Sequence, residues 1–366
     1  MPRERRRERV PRFIQHATRL LGVCLAVPAL AAPHVETLAE DLTHPWGMAF
    51  VSGDEVLITE RPGRLLSLDL DTGSRHPVTG VPAVDARGQG GLLDIELHPE
   101  FTDNRLVYLT WAGACDGGNA THLGRGRLTE DRRLTGFETL FVATPCVAST
   151  KHFGARISFD GEGRVLFTTG DRGERDRAQD LRDHNGSVIR LNDDGSIPAA
   201  NPYVGRDDAE PAIYSFGHRN PQGAARHPET GARWIHEHGP RSGDEINIPI
   251  AGGNFGWPET TYGREYWGPE IAPDEKPGTI QPIHHWTPSI APSGMAFHGG
   301  DLYVGALAQV HLARLALDGQ TIIGEARLLQ DRGWRIRAVE HGPDGQLYLL
   351  TDHANGRLVR VDSTGP

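Results

Sequence analysis

"IRAVEHGPDGQLYLLTDHANGRLVRVD", Ile336 to Asp362, holds three short apolar segments parted by two turns rich in Gly, Asp and Asn. Within each segment apolar residues alternate with others or run briefly together, a strand pattern of period two. The same phrase recurs upstream. "GMAFVSGDEVLITERPGRLLSLD" begins at Gly47, "LLDIELHPEFTDNRLVYLTWA" at Leu92 and "ARISFDGEGRVLFTTGD" at Ala155. "GAARHPETGARWIHEHGP" begins at Gly223 and "GMAFHGGDLYVGALAQVHLARLAL" at Gly294. Six copies at intervals of roughly 45 to 70 residues point to radial repetition, an all-β, six-bladed β-propeller. "HVETLAEDL", His34 to Leu42, could complete the last blade and close the ring. The competing architecture is a pair of sandwich domains, which also consist of short strands. Uneven spacing implies long insertions between Ala155 and Gly294, and long loops often carry function.

Composition agrees with many turns. The chain has 366 residues, 37% hydrophobic and 23% charged, with 45 Gly and 26 Pro. Residues 1–31 read as an export signal. Seven arginines precede the apolar run "LLGVCLAVPALAA", and Ala29-Leu30-Ala31 supplies a small-x-small cleavage pattern. The alternative is a cytosolic chain with a basic arm. Cleavage there would leave residues 32–366 as a single propeller domain. It would also remove seven Arg and two Glu, taking the net charge from −10 to −10 − 5 = −15. That balance argues against nucleic acid and acidic membrane surfaces as partners. The export signal makes the expected location periplasmic or secreted, and no stretch is long enough to span a bilayer. Cys115 and Cys146, an even pair in an oxidising compartment, are expected to form a disulfide.

A propeller gathers its connecting loops around one axis, so residues distant in sequence can meet there. "RGQGG" places Gln89 before the second blade, and "KHFGAR" places His152 before the third. "GHRNPQG" places Arg219 and Asn220 before the fourth, and "RIR" places Arg335 and Arg337 at the sixth. Guanidinium groups bind carboxylates in bidentate fashion and stabilise developing oxyanions. A histidine of near-neutral pKa can remove a hydroxyl proton. Together they suggest a polyanionic cofactor or substrate beside a general base. Alone, His152 would be read as a turn or core histidine, and the two late arginines as surface ion pairs. "EHGPRSGDEINIP", Glu237 to Pro249, gathers carbonyls and carboxylates at a turn, as a calcium site does or as a charged hairpin does. The run "DRGERDRAQDLRDHNG", Asp171 to Gly186, reads as a solvated loop with internal ion pairs. No G-x-S-x-G, CxxC or HExxH pattern occurs, and His284-His285 would point to opposite strand faces.

With "HPWGMAF", "GQGGLLDIELHPEF", "KHFGARISFDGEGRVLFTTGD", "IYSFGHRNPQGAARHP", "EHGPRSGDEINIP", "NFGWP" and "DRGWRIRAVEHGPDGQLYLLTD", the chain resembles the soluble PQQ-dependent aldose sugar dehydrogenases over nearly all of 32–366. The resemblance implies bound pyrroloquinoline quinone (PQQ) and calcium, with His152 as base and Arg219 stabilising charge on the quinone. It implies that Gln89, Arg219, Asn220, Arg335, Arg337 and Tyr266 contact the cofactor. Calcium would be held by the carbonyls of Gly239 and Pro240, and a second calcium by Glu245 and the carbonyl of Phe255. The implied reaction oxidises the anomeric carbon of an aldose to a lactone, with electrons passing to an external acceptor. Two positions depart from the family. Ala308 stands where a cofactor-contacting Lys is usual, and Lys151 precedes His152 where a smaller or polar residue is usual. The rival readings are a calcium-dependent lactonase and a non-catalytic extracellular binding propeller.

Overall fold

Each repeat folds as an antiparallel sheet of four strands, and six sheets are formed. The computed structural model describes residues 33–362, so the expected leader lies outside the described residues. An outermost strand, β1 (His34–Leu42), comes first in the chain. The first blade is β2 (Pro45–Phe50), β3 (Glu55–Glu60), β4 (Arg64–Asp69) and β5 (Arg75–Val78). The second is β6 (Leu92–Leu97), β7 (Leu106–Cys115), β8 (Gly118–Leu128) and β9 (Leu134–Val142). The third is β10 (Ile157–Phe159), β11 (Val165–Thr168), β12 (Ser187–Leu191) and β13 (Ile213–Phe216). The fourth is β14 (Pro221–Arg226), β15 (Arg233–Glu237), β16 (Asp244–Asn247) and β17 (His284–Trp286). The fifth is β18 (Pro292–His298), β19 (Asp301–Ala306), β20 (Leu312–Asp318) and β21 (Thr321–Leu328). The sixth is β22 (Ile336–His341), β23 (Leu347–Thr351) and β24 (Gly356–Asp362).

The sixth blade takes its fourth strand from the other end of the chain. β1 pairs with β24, Val35 opposite Val361 and Thr37 opposite Val359, which closes the ring as expected. Closure of the ring leaves strand edges only at the inner and outer rims of the blades. Apolar side chains fill the wedges between blades. Leu57 and Leu65 pack with Leu92, Leu109 and Trp111 between blades one and two. Tyr108, Phe159, Phe167 and Ile189 fill the next wedge, and Met48, Ile58, Leu350 and Leu358 the wedge that closes the ring. These residues sit on alternate strand positions, so the period-two pattern is the direct cause of the layered core.

Five of the six innermost strands carry a bulge near their first residues. Register breaks between Pro45 and Met48, Leu92 and Ile95, Pro221 and Gly223, Pro292 and Met295, and Ile336 and Ala338. A bulge bends its strand and re-aims a side chain. Before β10 the chain instead turns through positive φ at His152 (50°), Gly154 (64°) and Ala155 (82°). All six devices lie at the same end of the axis, where the innermost strands begin. Cys115 and Cys146 are joined by the expected disulfide, which ties the end of β7 to the segment after β9.

Candidate active site

Most of the expected axial residues meet at that end. The Gln89 Oε1 accepts the His152 backbone N–H at 2.8 Å, linking blades two and three. The Asn220 Oδ1 accepts the Gly154 N–H at 3.2 Å, linking blades three and four. Arg337 donates from Nη1 to the Gln222 Oε1 at 2.9 Å, linking blades six and four. Asp352 holds both late arginines, each donating to its Oδ2 at 3.1 Å, and Arg335 also donates to the Leu307 carbonyl at 2.8 Å. Burial raises the Asp352 carboxyl, but the two guanidinium groups outweigh it and hold it well below the usual carboxylate range.

His152 is fixed as one tautomer. Its Nδ1 stands 2.6 Å from the Asp171 Oδ1, and an ionised carboxylate there requires Nδ1–H, leaving Nε2 as a proton acceptor. The Asp171 Oδ2 accepts Trp257 Nε1–H at 2.8 Å, and its Oδ1 also accepts Gly173 N–H at 2.7 Å, so the carboxylate cannot rotate away. Gly170 permits this packing, since a Cβ there would stand 2.2 Å from the His152 carbonyl oxygen. Burial pushes the imidazole pKa below 6.5. The Asp171 bond pulls the other way without cancelling it, and Arg219 and Lys151 add to the depression. Burial raises Asp171, but its bond from His152 and the Arg219 charge leave it lowered. At neutral pH the pair is a neutral imidazole held by an ionised carboxylate.

Arg219 reaches from blade four to the "HGP" turn. Its Nη1 donates to the carbonyls of His238 and Gly239, each at 2.9 Å, and its guanidinium carbon lies 5.4 Å from the Trp257 ring centroid. The Gly239 carbonyl, expected to hold calcium, is thus paired with Arg219. Asp244 pins the same turn, accepting from Gly239 N–H at 2.8 Å, Ile290 N–H at 2.7 Å, Ala291 N–H at 2.8 Å and Ser289 Oγ–H at 3.0 Å. Glu237 and Glu245 stand opposite one another across β15 and β16. Glu237 is satisfied by His218 Nδ1 at 2.8 Å and Arg219 N–H at 2.5 Å. Among the described residues Glu245 receives only Asn247 Nδ2–H at 3.3 Å, and burial, reinforced by the Glu237 charge, pushes its carboxyl well above the usual range. It borders a small crevice with Gly239, Gly243, Phe255 and Thr261.

Tyr266 is not brought into the cluster. It is 64% exposed on the loop whose preceding residue, Glu265, binds Arg175 at 2.6 Å. Phe255 turns its ring onto His218, centroids 4.7 Å apart, so only its backbone could serve a cation. Pro240 packs in the turn, its ring close to Gly263. Ala308 follows Leu307, whose carbonyl holds Arg335, and so sits at the same rim.

The run Asp171 to Gly186 corrects the reading of a solvated loop. Its internal ion pairs exist, Arg177 with Glu174 at 2.7 Å and with Asp183 at 2.6 Å, but Asp171 and Arg172 are each only 1% exposed. Arg172 lies over the Phe153 ring at 3.6 Å and donates to the carbonyls of Lys151 and Ser149. Density of charge misled here, because these charges face inward to fix the histidine. Asp171, Trp257 and Asp352 carried no local signal as functional residues. Only their place at the ends of strands or loops facing the axis could have pointed to them.

The donor set fits an anion with several acceptor oxygens. Asn220 Nδ2 and Arg337 Nε are buried without a partner, and Arg219 from blade four and Arg335 and Arg337 from blade six stand at the same mouth. Glu245, an acid with no cationic partner among the described residues and beside a second acid, fits a divalent cation completed by carbonyls. Among the described residues no cluster of three or more His, Cys, Asp or Glu forms a metal site without such carbonyls.

Comparison with known proteins agrees with this geometry. The model of the Glucose / Sorbosone dehydrogenase family matches residues 42–360. The chain is 42% identical to Aldose sugar dehydrogenase YliI of Escherichia coli (strain K12), over 93% of this chain and 96% of that protein. A crystal structure of a glucose dehydrogenase superposes with a TM-score of 0.89 at 45% identity, covering 91% of this chain and all of that one. The PQQ-bound form of an aldose sugar dehydrogenase from Streptomyces coelicolor gives 0.77 at 27% identity, with 91% and 100% covered. Taken with the axial cluster, these matches show that the chain belongs to the glucose/sorbosone dehydrogenase family, with aldose sugar dehydrogenases among its relatives.

Proposed function

We propose that the chain oxidises the anomeric carbon of aldose sugars to aldonolactones, using PQQ and calcium and passing electrons to an external acceptor. The observation that carries this reading is the Asp171–His152 bond of 2.6 Å, which leaves Nε2 basic at the centre of an arginine-lined mouth. When bound, PQQ supplies a two-electron acceptor beside the sugar, and calcium makes it more electrophilic as a Lewis acid.

The chain's own residues supply the rest. Arg335, Arg337, Gln89 and Asn220 would bind and orient the cofactor, and Arg219 would offer its charge to the oxygen that becomes more negative during reaction. Nε2 of His152 takes the proton of the anomeric hydroxyl, and Asp171 stabilises the resulting imidazolium. Buried Trp257 and Phe153 wall the pair from water, with Trp257 also holding Asp171 in place. Gly239 and Pro240 would contribute carbonyls to a calcium ion near the cofactor. Glu245 and the Phe255 carbonyl would hold a second ion that stabilises the fold. A periplasmic or secreted location is part of the same reading, supported by the disulfide and the Arg-led apolar leader.

A lactonase would need several free carboxylates converging on the axial mouth. Asp171 and Asp352 stand there, and both are already bound, to His152 and to two arginines. Purified protein given PQQ and calcium should reduce a dye in the presence of an aldose. A folded sample that binds no PQQ at high micromolar concentration would refute the proposal.

A further inference from the structure

A cleft of about 400 Å³ opens beside the arginine-lined mouth, in the sixth blade. Its lining includes Arg332, Trp334, Arg335, Asp352, His353 and Arg357. The loop before β22 and the turn between β23 and β24 form its walls, so it shares the axial end with His152. Asp352 joins cleft and site directly, because the carboxylate lining the cleft is the one that holds Arg335 and Arg337.

Trp334 is half-buried between two guanidinium groups. The Arg332 carbon lies 5.6 Å from its ring centroid and the Arg357 carbon 5.9 Å. Each arginine also pairs with an acid, Arg332 with Asp331 at 3.3 Å and Arg357 with Glu40 at 2.9 Å. Neither of those acids lines the cleft. The lining presents three guanidinium groups and one carboxylate around an indole, in a chain of net charge −10. An aromatic face flanked by cations takes a flat ring carrying negative charge. The volume is that of a small-molecule pocket rather than a protein docking face.

We propose that this cleft receives the external electron acceptor, and that the acceptor is a small, planar, anionic quinone. The inference rests on the dehydrogenase reading above. In the net reaction the sugar loses the anomeric C–H and the adjacent O–H, two electrons and two protons in all. The acceptor quinone gains both electrons and both protons and leaves as the quinol.

The test compares acceptors at saturating aldose and low salt. The probes are a sulfonated naphthoquinone and an uncharged benzoquinone, with wild type, Arg332→Glu and Arg357→Glu. Arg332→Gln and Arg357→Gln serve as milder variants in case a reversal impairs folding. Each reversal is expected to raise KM for the sulfonated quinone about fivefold or more, with a smaller effect for each glutamine, and the difference should shrink as salt screens the charges. KM for the aldose and the rate with the uncharged quinone should stay within twofold of wild type. Trp334→Ala should raise KM for both quinones. Unchanged or equally changed KM values for the charged and uncharged quinones in the arginine variants would overturn the proposal. So would a larger loss for an acidic cytochrome than for the sulfonated quinone. Wild type that reduces no acceptor with any aldose would refute the dehydrogenase reading itself, an outcome distinct from these.

Discussion

The six innermost strands run from one mouth of the axial channel to the other, and the two mouths treat carboxylates in opposite ways. Where the strands begin, buried Asp171 and partly buried Asp352 are ionised, the first bonded to His152 and the second to two arginines. Where the strands end, a cavity of about 410 Å³ is lined by Asp94, Glu96, Arg156 and Glu340. There only Asp94 has a close cation, Arg156 Nη1 at 2.7 Å. Burial pushes Glu340 up to about 8, and Glu96 well up as well, with the Glu340 charge adding to it. Placed cations thus keep the acids charged at one mouth, while at the other burial without a bonded cation pushes Glu340 toward its protonated form. The difference lies in whether a cation is placed within bonding distance. The first mouth gathers three arginines and a histidine held by a carboxylate, whereas among the described residues the far mouth leaves Glu96 and Glu340 without a bonded cation beside the Asp94–Arg156 pair.

The largest expected effect is at His152. His152→Ala should lower turnover by about 10²- to 10⁴-fold, the range for losing a general base, while PQQ still binds. Steady-state kinetics with a separate binding titration would measure both, and a variant keeping more than a tenth of wild-type turnover would remove His152 from the base role. Asp171→Asn should cost less, roughly 10- to 100-fold, as when a partner orienting a functional histidine is lost. The sign of its pH effect is fixed. Because the imidazole pKa lies below 6.5 and the Asp171 bond raises it, the acid limb of kcat/KM should move to still lower pH in the variant. A shift to higher pH would contradict the assigned tautomer.

Much of this architecture was legible in the sequence. Alternating strands and Gly- or Asp-containing turns marked six blades, and the strand at His34–Leu42 was recognisable as the closing element. Gln89, His152, Arg219, Asn220, Arg335 and Arg337 stood out because each lies at or just before an innermost strand. Asp171 did not, since a carboxylate in a run of charges looks solvated until the fold shows it facing inward. Trp257 and Asp352 act through partners 86 and 15 residues away, in contacts that no local pattern encodes. The pairing of the Gly239 carbonyl with Arg219 was equally hidden, because it depends on how blade four bends its turn toward the axis.

Two smaller effects sharpen the contrast between mouths. Calcium at a hundred times its dissociation constant stabilises a protein by about 2.7 kcal/mol, and Glu245→Gln should abolish the share of calcium-induced melting shift that depends on that acid. Equal shifts in wild type and variant, by calorimetry, would make Glu245 an ordinary carboxylate. At the far mouth Glu340→Gln should leave turnover unchanged. Its raised pKa means that the native state holds a proton that the unfolded chain releases near 4.5, so this group's contribution to stability falls as pH rises from about 4.5 to about 8. Wild-type melting temperature should therefore decline more steeply across that window than that of Glu340→Gln. Parallel declines would show that Glu340 is ionised in the native state.

The central claim is tested most directly by titrating PQQ into purified protein with calcium present, following its absorbance, and then adding an aldose without any external acceptor. Wild type should bind the quinone, and its spectrum should change to the reduced form on adding sugar. His152→Ala should bind it with little change in affinity and remain oxidised over the same interval. Absence of quinone binding by folded wild type, or equally fast reduction in His152→Ala, would contradict a cofactor held by the arginine-lined mouth and a sugar deprotonated by His152.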